Sequence, residues 1–118
     1  MAYDPAFGAW VREHLSGLGP MEIKPMFGAA GVYADGLIFA LLDDGVIWMK
    51  ADEENRPALE AEGARQISYT AKDGKVMVMP YWSLPDSAVD DPDEAVDWAR
   101  RSLEAARRKA ALKKPRKR

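Results

Sequence analysis

The sequence predicts an α+β fold, a two-layer sandwich in which helices cover one face of an antiparallel β-sheet. Asp-Gly pairs at Asp35-Gly36, Asp44-Gly45 and Asp73-Gly74 separate apolar runs, and both residues of such a pair tolerate the positive φ angles of tight hairpin turns. Hairpins pair their strands antiparallel. Capped helical segments lie near both ends of the chain, and gathering them on one sheet face is the simplest way to bury both apolar surfaces.

The first helix is predicted to begin at Asp4-Pro5. Aspartate can cap the first free amides, and proline at the first helical position loses no hydrogen bond. Gly17, Gly19 and Pro20 are expected to end the helix. Its apolar face follows helical spacing and is formed by Phe7, Trp10, Val11, His14 and Leu18.

Four strands are predicted next. The first runs from Ile23 to Phe27, and Pro25 within it indicates an edge strand or a bulge. Gly28–Gly31 is interpreted as a flexible link, a bulge or a hinge, because it does not lead into the helix N-terminus that a phosphate-binding loop needs. The other three strands are Val32–Ala34, Leu37–Leu42 and Val46–Lys50.

A second helix is predicted over Asn55–Glu62, with Pro57 in its first turn and Gly63 just past its end. Two further strands follow at Gln66–Thr70 and Val76–Tyr81. The chain order is therefore helix, four strands, helix, two strands, helix.

The last helix has the clearest start. Asp91 is its predicted cap, Pro92 its first residue, and Glu94 completes a capping-box pattern. Its narrow apolar stripe comprises Val96, Ala99, Leu103 and Ala106. Trp98 lies off that stripe, so we expect it to be partly exposed.

Composition indicates a single domain with a substantial core: the chain has 118 residues, 47% of them hydrophobic, and no cysteine. Disulfides and thiolate metal sites are thereby excluded. No basic segment followed by an apolar run opens the chain, and the longest apolar run, Leu37–Leu42, is far shorter than the roughly 20 residues that span a bilayer. We therefore expect a cytoplasmic protein without a membrane partner.

The charge is distributed unevenly. Seven basic and 18 acidic side chains precede Arg100, which gives that part a net charge of −11. The remainder, Arg100–Arg118, holds ten basic side chains and one acidic one, a net charge of +9. An acidic body with a basic end is the most unusual feature of the composition.

Groups that could support catalysis are scarce. The only histidine, His14, lies on the apolar face of the first helix, where a packed histidine is the favoured interpretation. The sequence has no histidine pair at helical spacing and no nucleophile-elbow or phosphate-binding motif. Its acidic pairs, such as Asp43-Asp44, lie in turns or at helix starts, which carboxylates favour for structural reasons. The sequence therefore predicts no enzyme, no cofactor and no metal site.

Both faces of Leu37–Leu42 and Val46–Met49 are apolar. Helices can cover one face. The other face is then covered by a second copy in a homodimer or by a different partner, or these are central strands that loops shelter in part.

Several motifs together resemble the N-terminal domain of the bacterial TfoX/Sxy competence regulators. They are Lys24-Pro25-Met26-Phe27-Gly28, Gly31-Val32-Tyr33-Ala34-Asp35-Gly36, Phe39-Ala40 and Trp48-Met49-Lys50-Ala51-Asp52. The match continues through Asn55, Gly63, Tyr69, Met79-Pro80-Tyr81-Trp82, Pro85 and Asp91–Trp98. It covers residues 5–106.

The resemblance implies a two-layer sandwich with an antiparallel sheet and a regulatory module in the transcription of DNA-uptake genes, with no enzymatic activity. Full-length members carry a second, helical domain of DNA-binding-like character, whereas this chain ends in basic residues. We therefore interpret residues 1–106 as the domain and 107–118 as a basic, flexible tail, and we do not transfer the competence role directly.

The first hypothesis is a non-enzymatic regulatory or adaptor domain with an unidentified protein partner. Its candidate contact residues are Lys24, Met26, Phe27, Gly28, Tyr33 and Lys50. For Phe27 and Gly28 the favoured interpretation is structural, with Phe27 packed in the fold and Gly28 required by backbone geometry.

The alternative is an accessory protein that binds DNA or RNA weakly and without sequence preference through its tail. The candidate residues are Arg107, Arg108, Lys109, Lys113, Lys114, Arg116, Lys117 and Arg118. The tail has no aromatic residue, so stacking on bases is unavailable there. The competing interpretation is a solvated tail, or one that folds back on the acidic body. A third hypothesis, a small-ligand pocket between helices and sheet, has no specific support in the sequence.

Overall fold

The computed structural model describes residues 3–113 as one six-stranded sheet with helices. The elements in chain order are α1 (Pro5–His14), a 3₁₀ turn (Ser16–Leu18), β1 (Glu22–Met26), β2 (Ala29–Ala34), β3 (Leu37–Asp43), β4 (Val46–Lys50), α2 (Arg56–Ala61), β5 (Gln66–Thr70), β6 (Val76–Ser83), α3 (Asp86–Val89) and α4 (Pro92–Lys113). The predicted α+β class is confirmed. The short α3 is an addition to the predicted order.

The sheet order is β1-β2-β3-β4-β6-β5, and every neighbouring pair is antiparallel. β3 and β4 are therefore central, while β1 and β5 are the edges. Pro25 lies opposite Ala30 in β1, so the prediction of an edge strand is confirmed. Proline is tolerated there because an edge strand needs no donor on its outer side.

Two-residue turns close the first three hairpins. Asp35-Gly36 and Asp44-Gly45 have φ angles of 54° and 75°, and 56° and 75°, the positive pattern of type I′ turns. The β1–β2 turn is Phe27-Gly28, which excludes Phe27 from β1 and places Ala29 to Gly31 in β2. The predicted flexible link at Gly28–Gly31 is therefore wrong, because the tight turn leaves those residues free to pair with β1.

Helices α1, α2 and α4 pack on one face of the sheet and enclose the main core. Its most deeply buried side chains include Val11, Leu15, Phe39, Leu42, Met49 and Leu59, all with no solvent exposure. We call the opposite side of the sheet the second face. No helix of residues 3–113 is long and apolar enough to cross a membrane.

α3 changes the surroundings of the last helix. It packs against α4, and Trp98 is only 7% exposed, so the prediction of partial exposure is wrong. The Trp98 indole Nε1 donates to Glu94 Oε2 at 3.1 Å, and Ser87 Oγ donates to the same oxygen at 2.7 Å. The Glu94 carboxylate thus links Trp98 to α3 instead of closing the predicted capping box.

The first helix begins as predicted, with Asp4 Oδ1 accepting from the Ala6 amide at 2.9 Å. His14 is buried, and its Nε2 donates to the Ala88 carbonyl at 2.8 Å, which confirms the packed histidine. Trp10 is 42% exposed and stacks on His14 with ring centroids 4.5 Å apart. It therefore covers the edge of the core rather than lying inside it.

Replacing Asp91 with alanine tests the start of α4. Asp91 Oδ1 accepts from the amides of Asp93 and Glu94 at 3.1 and 3.2 Å. We expect Asp91→Ala to lower the free energy of unfolding by about 1 kcal/mol, measured by urea denaturation. Asp90→Ala, which removes a neighbouring carboxylate of equal charge, is the control. Equal effects of the two variants would contradict the capping role.

Candidate protein-contact surface

Phe27 is the side chain that the fold explains least. It is fully exposed, and its φ angle is 50° at the first position of the β1–β2 turn. The two matching turns of this sheet have Asp35 and Asp44 at the same position. Aspartate, asparagine and glycine adopt positive φ at low cost, whereas a bulky side chain there is strained. Phe27 therefore neither packs nor favours its own turn.

The structural roles expected for Phe27 and Gly28 have different outcomes. The expectation that Phe27 packs in the fold is wrong, since its ring is entirely in solvent. Gly28 has a φ angle of 81° at the second turn position, so its role in backbone geometry is confirmed. An exposed, strained aromatic residue at a hairpin tip is a candidate for contact with another molecule.

An apolar groove lies beside this tip on the second face. It has a volume of about 520 Å³, and its principal lining residues are Met26, Phe27, Leu41, Ile67, Tyr69 and Met79. These residues come from β1, the turn after it, β3, β5 and β6. Because residues from both edge strands line one cavity, the sheet must curl around it.

The floor of this face is closed by the sheet itself. Leu41, Trp48 and Tyr81 are 6%, 8% and 5% exposed and form a separate small cluster. Half-buried side chains from the flanking strands, Met26 and Ile67 among them, pack against it. The two central strands are thus sheltered largely by their neighbours. Covering of the second face by a partner or a second copy stays a prediction.

Three more of the predicted contact residues lie close to the Phe27 tip. The exposed Lys24 Nζ is 5.0 Å from the Tyr33 ring centroid and 3.6 Å from Glu22 Oε1. The Tyr33 hydroxyl donates to Met26 Sδ at 3.9 Å. Lys24, Met26 and Tyr33 therefore lie together beside the turn, and their role in contact with a partner stays a prediction.

Lys50 is placed elsewhere, beneath the surface. It is 7% exposed, and its Nζ donates to the Tyr81 hydroxyl at 3.4 Å and lies 5.0 Å from that ring. Burial raises the pKa of Tyr81 to about 12, with a smaller contribution from Tyr33. Lys50 lines small cavities between the sheet and α4, so it does not belong to the exposed contact surface.

The β5–β6 hairpin adds an exposed apolar region that sequence analysis missed. Its exposed side chains are Tyr69 at 53%, Val76 at 68%, Met77 at 42% and Val78 at 62%. The available signal was the apolar run Val76–Met79, which lies within the predicted strand Val76–Tyr81. Only Tyr81–Ser83 of β6 pair with β4, whereas Val76–Val78 pair with the edge strand β5. The exposed run therefore lies beyond β3 and β4, the strands that α4 covers.

The basic end of the chain begins inside α4, which is continuous from Pro92 to Lys113 and crosses the boundary predicted at residue 106. Arg107 NH2 lies 2.6 Å from Asp35 Oδ2. Arg108 donates to both Asp52 oxygens at 2.7 and 3.0 Å. These arginines contact the acidic body, as the fold-back interpretation supposed. Lys114, Arg116, Lys117, Arg118 and the Lys113 side chain lie outside the described residues.

Asp52 carries out two tasks at this junction. Its Oδ1 accepts from the amides of Glu54 and Asn55 at 3.0 and 3.3 Å, and its carboxylate pairs with Arg108. The hydrogen bond from Arg108, aided by those amides, lowers the pKa of Asp52 to about 2 against the opposing effect of burial. The end of β4, the entry to α2 and the last turns of α4 therefore share one carboxylate.

Within residues 3–113, no three His, Asp or Glu side chains converge in a way that could hold a metal ion. A second cavity, of about 350 Å³, lies between α1, the β3–β4 turn and α3, and Phe7, Trp10 and Leu84 are among its lining residues. Like the groove, it exposes mostly apolar side chains, which suits contact with apolar groups more than bond-making chemistry.

Similarity to known proteins extends over most of the chain. The family model described as the TfoX N-terminal domain matches residues 13–106. Protein Sxy of Escherichia coli (strain K12) is 24% identical over 107 residues, which are 91% of this chain and 51% of that protein. The chain thus spans about half the length of this curated relative.

Substitutions at the first position of two turns test whether Phe27 destabilises the folded protein. Phe27→Asn places a residue that accepts positive φ in the type I′ turn, so we expect the free energy of unfolding to rise by about 0.5–1 kcal/mol. The reverse change in the matching β3–β4 turn, Asp44→Phe, should lower it by a similar amount. Urea denaturation measures both. A loss of stability in Phe27→Asn would show that the ring supports the fold.

The Asp52–Arg108 pair predicts a pH-dependent contribution to stability. The pKa of Asp52 is lowered in the folded state, so the contribution is full above its unfolded value of 3.8 and is lost as pH falls through about 2. We expect Asp52→Asn to lower the free energy of unfolding by about 1 kcal/mol at pH 7, since the pair is one-third exposed and partly screened. The difference from the wild type should shrink between pH 4 and pH 2.

A matched control is Asp97→Asn, which breaks the exposed i,i+4 pair with Arg101 at 3.3 Å. Such pairs contribute about 0.3–0.5 kcal/mol, so its effect should be smaller. Denaturation at several pH values compares the variants. A pH-independent difference between wild type and Asp52→Asn would contradict the role of the Asp52 charge.

Proposed function

The chain belongs to the TfoX N-terminal domain family, and on that premise we propose that it is a non-enzymatic regulatory adaptor that acts by binding another protein. The family match and the similarity to Protein Sxy support the coarser statement, a domain like that of a competence regulator. The finer proposal, action through a protein–protein contact, is supported by the second face of the sheet.

The single observation that carries the proposal is Phe27. A fully exposed phenylalanine in a left-handed backbone conformation contributes nothing to packing and disfavours its own turn. Selection for folding alone favours asparagine, aspartate or glycine at this position, as at Asp35 and Asp44. Binding of a partner accounts for the residue, since burial of an aromatic ring in an interface is strongly favourable.

The proposed contact surface comprises the β1–β2 hairpin tip and the groove beside it. Lys24, Met26, Gly28 and Tyr33 surround Phe27, and Tyr69 on β5 lies across the groove. Exposed aromatic and methionine side chains next to a rigid sheet are typical of protein-binding surfaces. A binding role needs no proton-transferring group at this surface.

The alternative, nucleic-acid binding through the basic C-terminal residues, meets opposition within the described residues. Arg107 and Arg108 are paired with Asp35 and Asp52, so a phosphate must displace two carboxylates to reach them. The body before Arg100, with its net charge of −11, also repels a polyanion. We therefore propose the protein-binding role alone.

Site-specific photocrosslinking tests the proposal. Phe27 is replaced by p-benzoylphenylalanine, which keeps an aromatic ring at the tip, and the full chain is irradiated inside its host cells. We expect discrete adducts with one or a few proteins, because the ring lies in the interface. The same label at Trp10, an exposed aromatic residue on the helical face, is the control.

Two outcomes would contradict the proposal. One is that position 27 gives no protein adduct, or only the adducts that position 10 gives. The other is that position 27 crosslinks to nucleic acid, which would favour the alternative function instead.

A further inference from the structure

We propose that the edge strand β5 pairs antiparallel with β5 of a second copy of this chain, so that two sheets join into one across a twofold axis. The inference goes beyond the proposed function, because the pairing uses the backbone edge of the sheet and not the Phe27 tip.

The two edges of the sheet differ in how well they are protected against a further strand. β1 contains Pro25 and the charged Glu22 and Lys24, which are common devices against edge-to-edge pairing. β5, Gln66–Thr70, has neither a proline nor a charged side chain. Among the strands of residues 3–113, none lies beyond β5 in the sheet order. β5 is therefore the edge at which another strand can add.

Two hydrogen bonds show which backbone groups of β5 face away from β6. The Ser83 amide donates to the Arg65 carbonyl at 2.8 Å, and the Ala71 amide donates to the Lys75 carbonyl at 2.8 Å. In an antiparallel pair, the backbone groups of successive residues point to alternate sides of the strand. Positions 65 and 71 thus face β6, and the residues of β5 that face outward are Gln66, Ser68 and Thr70.

The alternation holds along β5 because the strand itself is regular. Gln66 lies opposite Trp82 and Ser68 opposite Val78, so two steps along β5 correspond to four steps along β6. The extra residues therefore belong to an irregularity of β6. β5 keeps the even spacing of outward donors and acceptors that a further strand requires.

A twofold axis at Ser68 makes the outer edge of β5 complementary to itself. Ser68 then lies opposite Ser68 of the second copy, and Gln66 lies opposite its Thr70. Because all three residues face outward, the two residues of each pair can exchange both of their backbone hydrogen bonds. The self-paired edge leaves no outward donor or acceptor of these three residues without a partner.

The side chains between these pairs also match. In the same register, Ile67 of one copy lies opposite Tyr69 of the other. Tyr69 is 53% exposed and Ile67 is half-buried, and both line the groove on the second face. A pair without backbone hydrogen bonds brings its side chains close together, and an aromatic side chain beside a β-branched one stabilises a sheet. A second copy thus supplies an apolar residue opposite Tyr69 and no charge opposite any residue of β5.

The pairing ends at two copies. A contact across a twofold axis uses the same surface of both molecules, so the dimer has no further β5 edge. Its outer edges are the two β1 strands, which Pro25 and the neighbouring charges protect. The expected product is therefore a closed dimer and not an open chain of molecules.

Single cysteines test the register in a chain that has no cysteine of its own. In the proposed dimer the two Ser68 Cα atoms lie about 5.5 Å apart, within the range of roughly 4.4–6.8 Å that disulfides require. We expect Ser68→Cys to form a disulfide-linked dimer on mild oxidation of the full chain. Thr70→Cys is the matched control, because the two Thr70 residues lie at least about 13 Å apart along the paired strands.

Sedimentation equilibrium measures the association without a crosslink. Five paired residues make a small interface, so we expect a weak dimer whose fraction rises over a hundredfold range of concentration. Ser68→Lys places two like charges opposite each other at the axis and should weaken the dimer about tenfold or more. Ser16→Lys adds the same charge at an exposed serine of the 3₁₀ turn and should leave the association unchanged. Equal melting temperatures of the two variants show that both are folded.

Four results would overturn the inference: a wild type that is monomeric at every concentration, equal crosslinking of Ser68→Cys and Thr70→Cys, equal association of Ser68→Lys and the wild type, or a dimer that only Phe27→Asn disrupts. The last result would place the contact between copies on the second face. None of them bears on the proposed function, which depends on adducts between position 27 and a different protein.

Discussion

The sheet has a helical layer on one side only, and the apolar side chains at the centre of its other side are buried by neighbouring strands. Leu41, Trp48 and Tyr81 are each less than a tenth exposed without any helix above them. Side chains from both edge strands line one cavity over this face, which requires the sheet to curl. A curled single-layer sheet has a closed floor and an open groove. The exposed hairpin tip, the groove and the projecting β5–β6 hairpin all follow from that one arrangement.

The long last helix, α4, covers the helical side of the sheet, and its arginines pair with carboxylates of the acidic body. α4 packs over β3 and β4, the two central strands. Near its end, Arg107 and Arg108 pair with Asp35 in the β2–β3 turn and Asp52 after β4. Each exposed pair contributes little alone, yet Asp52 also holds two amides at the entry to α2. The basic end of the chain thus serves, in part, as an internal counter-charge for the acidic body.

The features that were predicted correctly from the sequence are those that depend on interactions between residues close together in the chain. The caps Asp4 and Asp91 and the edge position of Pro25 depend on the backbone chemistry of a few neighbouring residues, and all three were predicted correctly. Trp98 was placed wrongly because the sequence analysis did not predict the short helix α3, which packs against α4. The groove was not predicted because Met26 and Ile67 are 41 positions apart in the sequence. Only the sheet order, with β6 inserted between β4 and β5, and the curl of the sheet bring them together.

Phe27 and Gly28 occupy one short turn, which Gly28 favours and Phe27 disfavours. Gly28 satisfies the backbone, since the turn requires a positive φ at its second position. Phe27 opposes the same turn, and the sheet provides its own reference because two turns of equal length have aspartate there. A two-residue turn also fixes the backbone of the tip. An aromatic residue held on a fixed backbone loses little conformational entropy when a partner buries it, so more of the burial free energy is available for binding. In the proposed protein contact, the rigidity that the hairpin needs for its fold is therefore also an advantage for binding through Phe27.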